Sequence, residues 1–263
     1  MNHPIDDRTA ALSPTRRAVL TVIAAFVTLL GTVAATPVAH AGVGGPPIPK
    51  EFVVERQLNA NKCAEAADKA GWRGDDLVIA TAVSLAESGC DPKATNTNGP
   101  TSGCSSGSTD RGAWQINDCY HGEVSDTCSF KLQCNANAAH DIWADAGSSF
   151  QPWTTYNTRV FKYYLNEARR AVKHVTGENI VVGVVETTGG SLNIREKPTS
   201  KSDMVGTLPN QAVIEIVCQT RGERVSSPVF GGSTRVWDSL GPDRFVSDAY
   251  VYTDSDKRVA EDC

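Results

Sequence analysis

Two isolated acids, Glu87 and Asp110, stand in contrasting surroundings. Glu87 closes the apolar run "DDLVIATAVSLAES", whereas Asp110 lies in "GSTDRGAWQIN", among glycines and small polar residues. Burial and the negative end of a helix both disfavour a charged carboxyl group, so Glu87 is expected to keep its proton near neutral pH. Hydration and backbone N–H groups in a turn stabilise an anion, so Asp110 is expected to stay ionised.

A protonated acid that faces an ionised carboxylate is the pair required for glycoside hydrolysis. One group protonates the leaving oxygen, while the other stabilises or captures an oxocarbenium-like centre. The residues alone leave a second interpretation open: Glu87 is an ordinary helix-end residue and Asp110 caps its own backbone in a turn.

Helical periodicity predicts four helices around a loop-rich stretch. The stretch from Gly89 to Cys128 is dominated by glycine, serine, threonine and asparagine, and it contains a short predicted hairpin around Thr109 to Asn117. Glycines mark the ends of three of the helices. The predicted helices cover residues 51–70, 75–88 before Gly89, 132–143 closing at Gly147, and 161–175 closing at Gly177.

The pattern changes after Gly177, where short β-branched or aromatic runs alternate with Gly- and Pro-containing turns. This alternation is typical of a small all-β domain. We therefore predict a mainly α domain over 51–177 and a β domain over 178–263, preceded by a Gly/Pro linker at 42–50.

The N-terminus carries the layout of a secretory signal. Arg16 and Arg17 precede an apolar run, and the small-residue site "AHA" ends at Ala41, after which we expect cleavage. The protein is then secreted, extracellular or associated with the cell wall. In the alternative interpretation the uncleaved apolar run, about 18 residues long, anchors the chain in the membrane.

Eight cysteines in an exported chain predict disulfides, because an oxidising compartment favours paired thiols. Six lie in one block and two far downstream, and these even numbers support two domains. No CxxC pair or tight Cys/His cluster is present, so neither a metal nor another cofactor is expected. Of the 15 pairings that six cysteines allow, we expect Cys90–Cys104, Cys119–Cys128 and Cys63–Cys134, and downstream Cys218–Cys263.

The net charge of −5 argues against nucleic acid as a partner and against simple electrostatic adhesion to anionic polymers. Binding to a negatively charged surface would need a shaped site. We expect a monomer.

Two stretches that carry the acids resemble c-type lysozymes. "AESGCDPKATNTNG" followed by "GSTDRGAWQIN" is similar to the segment of that family from the catalytic glutamate through a hairpin to its aspartate, and "KCAEAADKAGW" resembles its first helix. The resemblance covers about residues 55–175. It implies an α+β lysozyme-like fold, mainly α, with Glu87 as general acid, Asp110 as second carboxylate, and Gln115 and Asn117 as groove-lining amides.

An insertion containing "PTSGCS" departs from that family and separates the two acids by 23 residues. A disulfide between Cys90 and Cys104 would close this insertion off as a side loop.

A second resemblance favours different chemistry. "WTTYNTRVFKYYLNEARRA" is similar to the Tyr-Asn segment of soluble lytic transglycosylases, with Tyr156 and Asn157 at the matching positions, although the glycine usual after the pair is absent. Those enzymes use one glutamate without an aspartate and leave an anhydro sugar end. Asp110 therefore favours hydrolysis. Tyr120, Trp153 and Tyr156 are expected to present aromatic faces to sugar rings.

The β region resembles bacterial SH3-type cell-wall domains through "GGSLNIREKPTSKSDMVGTL" and "VWDSLG…RFVSDAYVYT". This implies a small SH3-like barrel over about 179–263 that binds wall peptides; the alternative is a spacer. Together the resemblances imply a secreted muramidase that hydrolyses peptidoglycan glycan strands. The alternatives are a transglycosylase that uses Glu87 alone, or a non-catalytic wall-binding protein on a lysozyme scaffold.

Overall fold

A computed structural model describes the backbone of residues 50–263 and the side chains of residues 55–263. The predicted secretory signal and all but the last residue of the predicted linker lie outside the described residues. Among the described helices, none is both long and apolar enough to cross a bilayer. The helices are α1 (Lys50–Ala70), α2 (Gly74–Ser88), α3 (Asp126–Ser129), α4 (Leu132–Asp145), α5 (Thr154–Asn157) and α6 (Leu165–Thr176), with a 3-10 helix at Val160–Tyr164.

These bounds confirm the predicted helices that correspond to α1, α2 and α4, whereas the predicted helix over 161–175 divides into the 3-10 helix and α6. The single-turn helices α3 and α5 are too short for periodicity to reveal. The central helix is α2, since every residue from Leu77 to Leu85 is buried. It packs against α1, α6 and the 3-10 helix. Gly89 ends it in the left-handed conformation, with φ of 66°, which glycine adopts without strain. Glu87 consequently sits in the last turn of a helix that forms the middle of the core.

A three-stranded antiparallel sheet follows α2. Its strands are β1 (Thr95–Asn98), β2 (Ser108–Arg111) and β3 (Ile116–Asn117), in that order. The hairpin of β2 and β3 matches the prediction, whereas β1, made only of threonine and asparagine, was not predicted because it lacks apolar alternation. Asp110 lies on the central strand, directly opposite Asn96 on one side and Asn117 on the other.

Two antiparallel sheets make up the C-terminal region. One has the strand order β6-β5-β10-β9-β8 and the other β11-β4-β7. The long strand β8 was not predicted, because most of its residues are polar. The strands are β4 (Val182–Val185), β5 (Leu192–Arg195), β6 (Met204–Leu208), β7 (Val213–Glu215), β8 (Cys218–Ser226), β9 (Ser233–Ser239), β10 (Phe245–Ser247) and β11 (Val251–Tyr252).

The predicted barrel is wrong in one respect: these sheets are not closed into a barrel. The chain passes from one sheet to the other between β7 and β8. The N–H of Ile216 donates to the carbonyl of Val181 in the smaller sheet, while the N–H of Val217 donates to Ser239 in the larger one. The two hydrogen-bond ladders therefore stay separate at this crossing.

Strand β4 is buried on both faces and joins the helical and β regions. Val182 and Val184 belong to the apolar core of the helices, whereas Val181 and Val185 belong to the second core between the sheets. This division follows from the two-residue period of a strand. The described residues, 50–263, belong to one compact unit, and the domain division after residue 177 stays a prediction.

Four disulfides are present, which is consistent with an extracellular protein. Cys218–Cys263 forms as predicted. The three other predicted pairings are wrong, because the packing of α1 against α2 brings Cys63 within 6.0 Å of Cys90, measured between Cα atoms. The short α3–α4 turn then pairs cysteines only six residues apart. The observed bridges of the first block are Cys63–Cys90, Cys104–Cys119 and Cys128–Cys134.

Candidate active site

Glu87 and Asp110 line the same cleft, which has a volume of about 500 Å³. Glu87 reaches it from the last turn of α2, and Asp110 from the middle strand of the three-stranded sheet. The segment before α5 forms another part of its wall. Among the lining residues are four of those predicted to bind substrate, namely Gln115, Asn117, Tyr120 and Trp153.

The carboxyl group of Glu87 is partly buried and hydrogen-bonded. The hydroxyl of Thr155 donates to Oε1 of Glu87 at 2.6 Å. Burial raises the pKa of Glu87 above its ordinary value, and the charge of Asp110 raises it further, while hydrogen bonds from Thr155 act in the opposite direction. The direction of the shift favours a protonated Glu87, which is the state that a general acid needs.

Asp110 is held by three side-chain amides. Asn117 donates to Oδ1 at 2.7 Å, while Asn98 and Asn96 donate to Oδ2 at 2.9 and 3.2 Å. All three partners are N–H donors, and an ionised carboxylate has only acceptors to offer them. The arrangement therefore suits an Asp110 anion with a fixed orientation, facing the cleft that Glu87 also lines.

The two amides predicted to line the groove do so, and their side-chain nitrogens already donate hydrogen bonds within the protein. Gln115 donates to the carbonyls of Gly112 and Ala94, at 2.8 and 3.2 Å. Its own backbone is in the left-handed region, with φ of 47°. The Oδ1 atom of Asn117 accepts the backbone N–H of Cys119 at 3.0 Å. Both side chains thus brace the turn that carries the site.

The predicted aromatic residues separate into two groups. Tyr120 is 64% exposed in the cleft and can offer a face to a sugar ring. Trp153 reaches the cleft but is only 5% exposed. Its indole N–H donates to the carbonyl of Trp114 at 2.9 Å. Tyr156 and Asn157 are not among the lining residues.

Tyr156 packs against neighbours in its own segment. Its ring stacks on Phe161, with centroids 5.0 Å apart, and the guanidinium of Arg159 lies 4.9 Å from its centroid. Asn157 donates instead to the carbonyl of Gln151 at 2.8 Å. The Tyr-Asn pair, which matched the transglycosylase pattern, therefore contributes to packing of the segment around α5.

The insertion between β1 and β2 forms part of the cleft wall. Thr101 from this segment lines the cleft, and the Cys104–Cys119 disulfide ties the segment to the residue that precedes Tyr120. A side chain at Gly103 would come within 3.0 Å of the Tyr120 hydroxyl. The expected closure of the insertion as a side loop by Cys90–Cys104 is wrong, because Cys90 pairs with the first helix.

Sequence reasoning missed Thr155, Asn96 and Asn98 as partners of the two acids. The alternation in "TNTN" carries a usable signal, since residues two apart in a strand share a face. Thr155 carries no such signal, because it lies 68 residues beyond Glu87 in the chain. His121 also lines the cleft and is 3.3 Å from Glu123.

The order of these residues agrees with a known family. Residues 64–155 match a family model described as a lysozyme-like domain. The helical region thus contains a lysozyme-like domain. The match covers about a third of the chain and includes Glu87 and Asp110. It implies a glycoside hydrolase or transglycosylase activity with peptidoglycan as substrate. No curated protein and no solved structure matches the chain.

Across the part of the chain that the structure describes, no group of three or more His, Cys, Asp or Glu side chains is placed to hold a metal ion. The two carboxyl groups of the cleft accept hydrogen bonds from hydroxyl and amide donors. Acid–base and electrostatic chemistry is what these residues can perform directly.

Proposed function

We propose that the protein is a secreted muramidase that hydrolyses the glycan strands of peptidoglycan. One observation carries the proposal: a buried acid whose pKa is raised and a carboxylate held by three amides line one cleft of a lysozyme-like domain. Export agrees with the four disulfides. The volume of the cleft, about 500 Å³, is within the range of ordinary ligand sites.

In the proposed reaction Glu87 gives its proton to the glycosidic oxygen as the bond to the sugar breaks. Positive charge then develops on the sugar ring, and the Asp110 carboxylate stabilises that charge or captures the ring carbon. Water completes the hydrolysis after Glu87, now ionised, removes its proton. Asn117 and Asn98 keep Asp110 directed at the reacting ring throughout.

The products of digestion distinguish this reaction from transglycosylation. We expect purified peptidoglycan to release muropeptides with ordinary reducing ends, identified by mass spectrometry. Anhydro ends would instead show that Glu87 acts without a carboxylate partner, and the hydrolase proposal would fall. One reason to favour hydrolysis is that Tyr156, whose ring stacks on Phe161, is not among the residues that line the cleft.

Two conservative variants test the roles of the acids. Glu87→Gln removes the transferable proton and should abolish product formation without loss of wall binding. Asp110→Asn should lower turnover strongly in a hydrolase and leave a transglycosylase active. Glu65→Gln and Asp141→Asn, at exposed positions on α1 and α4, are matched controls that should retain full activity. Full turnover by Glu87→Gln would remove the enzymatic assignment and leave a wall-binding protein.

We further propose that the C-terminal β region retains the enzyme at the wall by binding wall peptides. A second cleft of about 350 Å³ lies there, lined by Tyr250, Asn193 and Arg195, with Arg195 its charged lining residue. A cation in a polar groove with an aromatic wall suits a peptide that carries free carboxylates. This is also the behaviour implied by the resemblance to SH3-type domains.

Retention on insoluble peptidoglycan tests this second role. Asn193→Ala combined with Arg195→Gln should release the protein from sedimented walls, while its turnover of soluble glycan fragments stays at the wild-type level. Met204→Ala, at an exposed position outside that cleft, serves as control. Unchanged retention of the double variant would indicate that the β region is a spacer.

A further inference from the structure

We propose that Thr155 is the positioning residue of Glu87: its hydroxyl holds Oε1 of the carboxyl group, so that the proton is delivered from Oε2. This inference rests on the proposed function, because it specifies how the acid of that same site is set up. No feature of the sequence pattern pointed to Thr155.

The contact joins two parts of the chain that the fold holds firmly. Thr155 lies in the single-turn helix α5, and its Oγ1 atom donates to Oε1 of Glu87 at 2.6 Å. Two residues earlier, Trp153 is buried and anchored by its indole hydrogen bond to the carbonyl of Trp114. The Thr155 hydroxyl is therefore presented to Glu87 by a braced turn.

The hydrogen bond decides which oxygen carries the acid proton. A protonated carboxyl group has one O–H and one acceptor oxygen. Since Oε1 accepts from Thr155, the proton belongs on Oε2. In the reaction the Oε2–H proton passes to the glycosidic oxygen, which also receives the electron pair of the breaking C–O bond. Glu87 is left as a carboxylate with Oε1 still bound to the hydroxyl.

The same bond strengthens as the reaction proceeds. A hydroxyl donates more strongly to an ionised carboxylate than to a neutral acid. Thr155 therefore stabilises the transition state, in which Glu87 gains charge, more than the ground state, and only such differences accelerate a reaction. The hydroxyl thereby offsets part of the repulsion between the resulting carboxylate and the charge of Asp110.

The titratable groups around this cleft come from several elements. Asp110 projects from β2, while Tyr120 and His121 follow β3, and all three line the cleft with Glu87. Of these, Asp110 acts on the pKa of Glu87 in the raising direction, and burial acts in the same direction. Thr155 is the group whose hydrogen bonds oppose both. Removing its hydroxyl should consequently raise the pKa of Glu87 further.

The experiment compares Thr155→Val and Thr155→Ser with Thr158→Val. Valine has the shape of threonine without the hydroxyl, serine keeps the hydroxyl, and Thr158 is a control threonine of the same turn that does not contact Glu87. The pH dependence of kcat is measured on soluble peptidoglycan fragments. Carbon-13 NMR of labelled glutamate follows the ionisation of Glu87 itself.

We expect Thr155→Val to lower the plateau of kcat by about 10- to 100-fold, through misplacement of the acid, and to move the basic limb of the profile to higher pH. The serine variant and Thr158→Val should stay close to wild type. A lower plateau with an unmoved basic limb would show a merely structural threonine and overturn the inference. An inactive wild-type protein would refute the proposed function. Separately, a pKa of Glu87 that does not change in Thr155→Val would refute the role of Thr155.

Discussion

Removing the amide of Asn117 tests how the second carboxylate is oriented. The side chain donates to Oδ1 of Asp110 at 2.7 Å, which is the shortest of the three amide contacts to that group. A hydrogen bond to a charged group contributes about 1.5–3 kcal/mol. If that contribution is realised mainly in the transition state, Asn117→Ala should lower kcat/KM by about 10- to 150-fold, at about 1.4 kcal/mol for each factor of ten.

A double-mutant cycle distinguishes positioning from direct substrate binding. If Asn117 acts through Asp110, Asn117→Ala should have little further effect in an Asp110→Ala background. If it binds sugar independently, the two losses should add. Turnover of soluble glycan fragments gives kcat and KM for each of the four proteins, and thermal unfolding of each one verifies its fold.

Asn117→Asp is the matched control, because it separates the two halves of the amide. An aspartate keeps the oxygen that accepts the backbone N–H of Cys119 and so preserves the turn. It also replaces the donor to Asp110 with a second acceptor. We expect this variant to be at least as impaired as Asn117→Ala. Activity near the wild-type level in Asn117→Asp would refute the reasoning.

Three further predictions concern stability and cleft shape. Burial raises the pKa of Asp238 well above its ordinary value, and the charge of Asp248 raises it further. The contribution of Asp238 to the stability of the folded protein therefore falls as pH rises above about 4. Asp238→Asn should consequently gain in melting temperature relative to wild type between pH 4 and pH 8. A constant difference would contradict this. Replacing Cys104 and Cys119 with serine should lower the free energy of unfolding by about 3 kcal/mol. It should also raise KM, because the disulfide no longer holds the cleft wall beside Tyr120. An unchanged KM would show that the insertion has no role in the cleft. Val184→Ala should lower the free energy of unfolding by about 2 kcal/mol and move a single calorimetric transition to lower temperature, since this residue lies in the core of the helices. A second transition at an unchanged temperature would indicate independent domains.

Much of the lysozyme-like domain followed from local patterns. The apolar residues of α2 and the glycine after it predict the length of the helix and place Glu87 in its last turn, after the buried run that ends at Leu85. Partial burial of Glu87 then determines the direction of its pKa shift. The change of pattern after Gly177 likewise indicated β structure without reference to tertiary contacts.

The partners of the two acids could not be predicted in the same way. Thr155 reaches Glu87 only because α5 packs against α2, and Asp110 meets Asn96 only in the register of β1 with β2. These contacts depend on positions in space between residues far apart in sequence, and several residue types could have supplied the same donor. For Tyr156 the motif predicts a substrate contact, whereas the observed contact of its ring is the stacking on Phe161.

The disulfides also divide into one that the sequence predicts and three that depend on tertiary contacts. Cys218 and Cys263 were the last two cysteines left in their block, so parity alone determined their pairing. Among six cysteines parity leaves many solutions, and the packing of α1 beside the end of α2 selected Cys63 with Cys90. Sequence thus determined which residue types and helices this protein has, because these depend on neighbours within a few residues. The tertiary structure decided which distant side chains meet, because loop paths and packing set those distances.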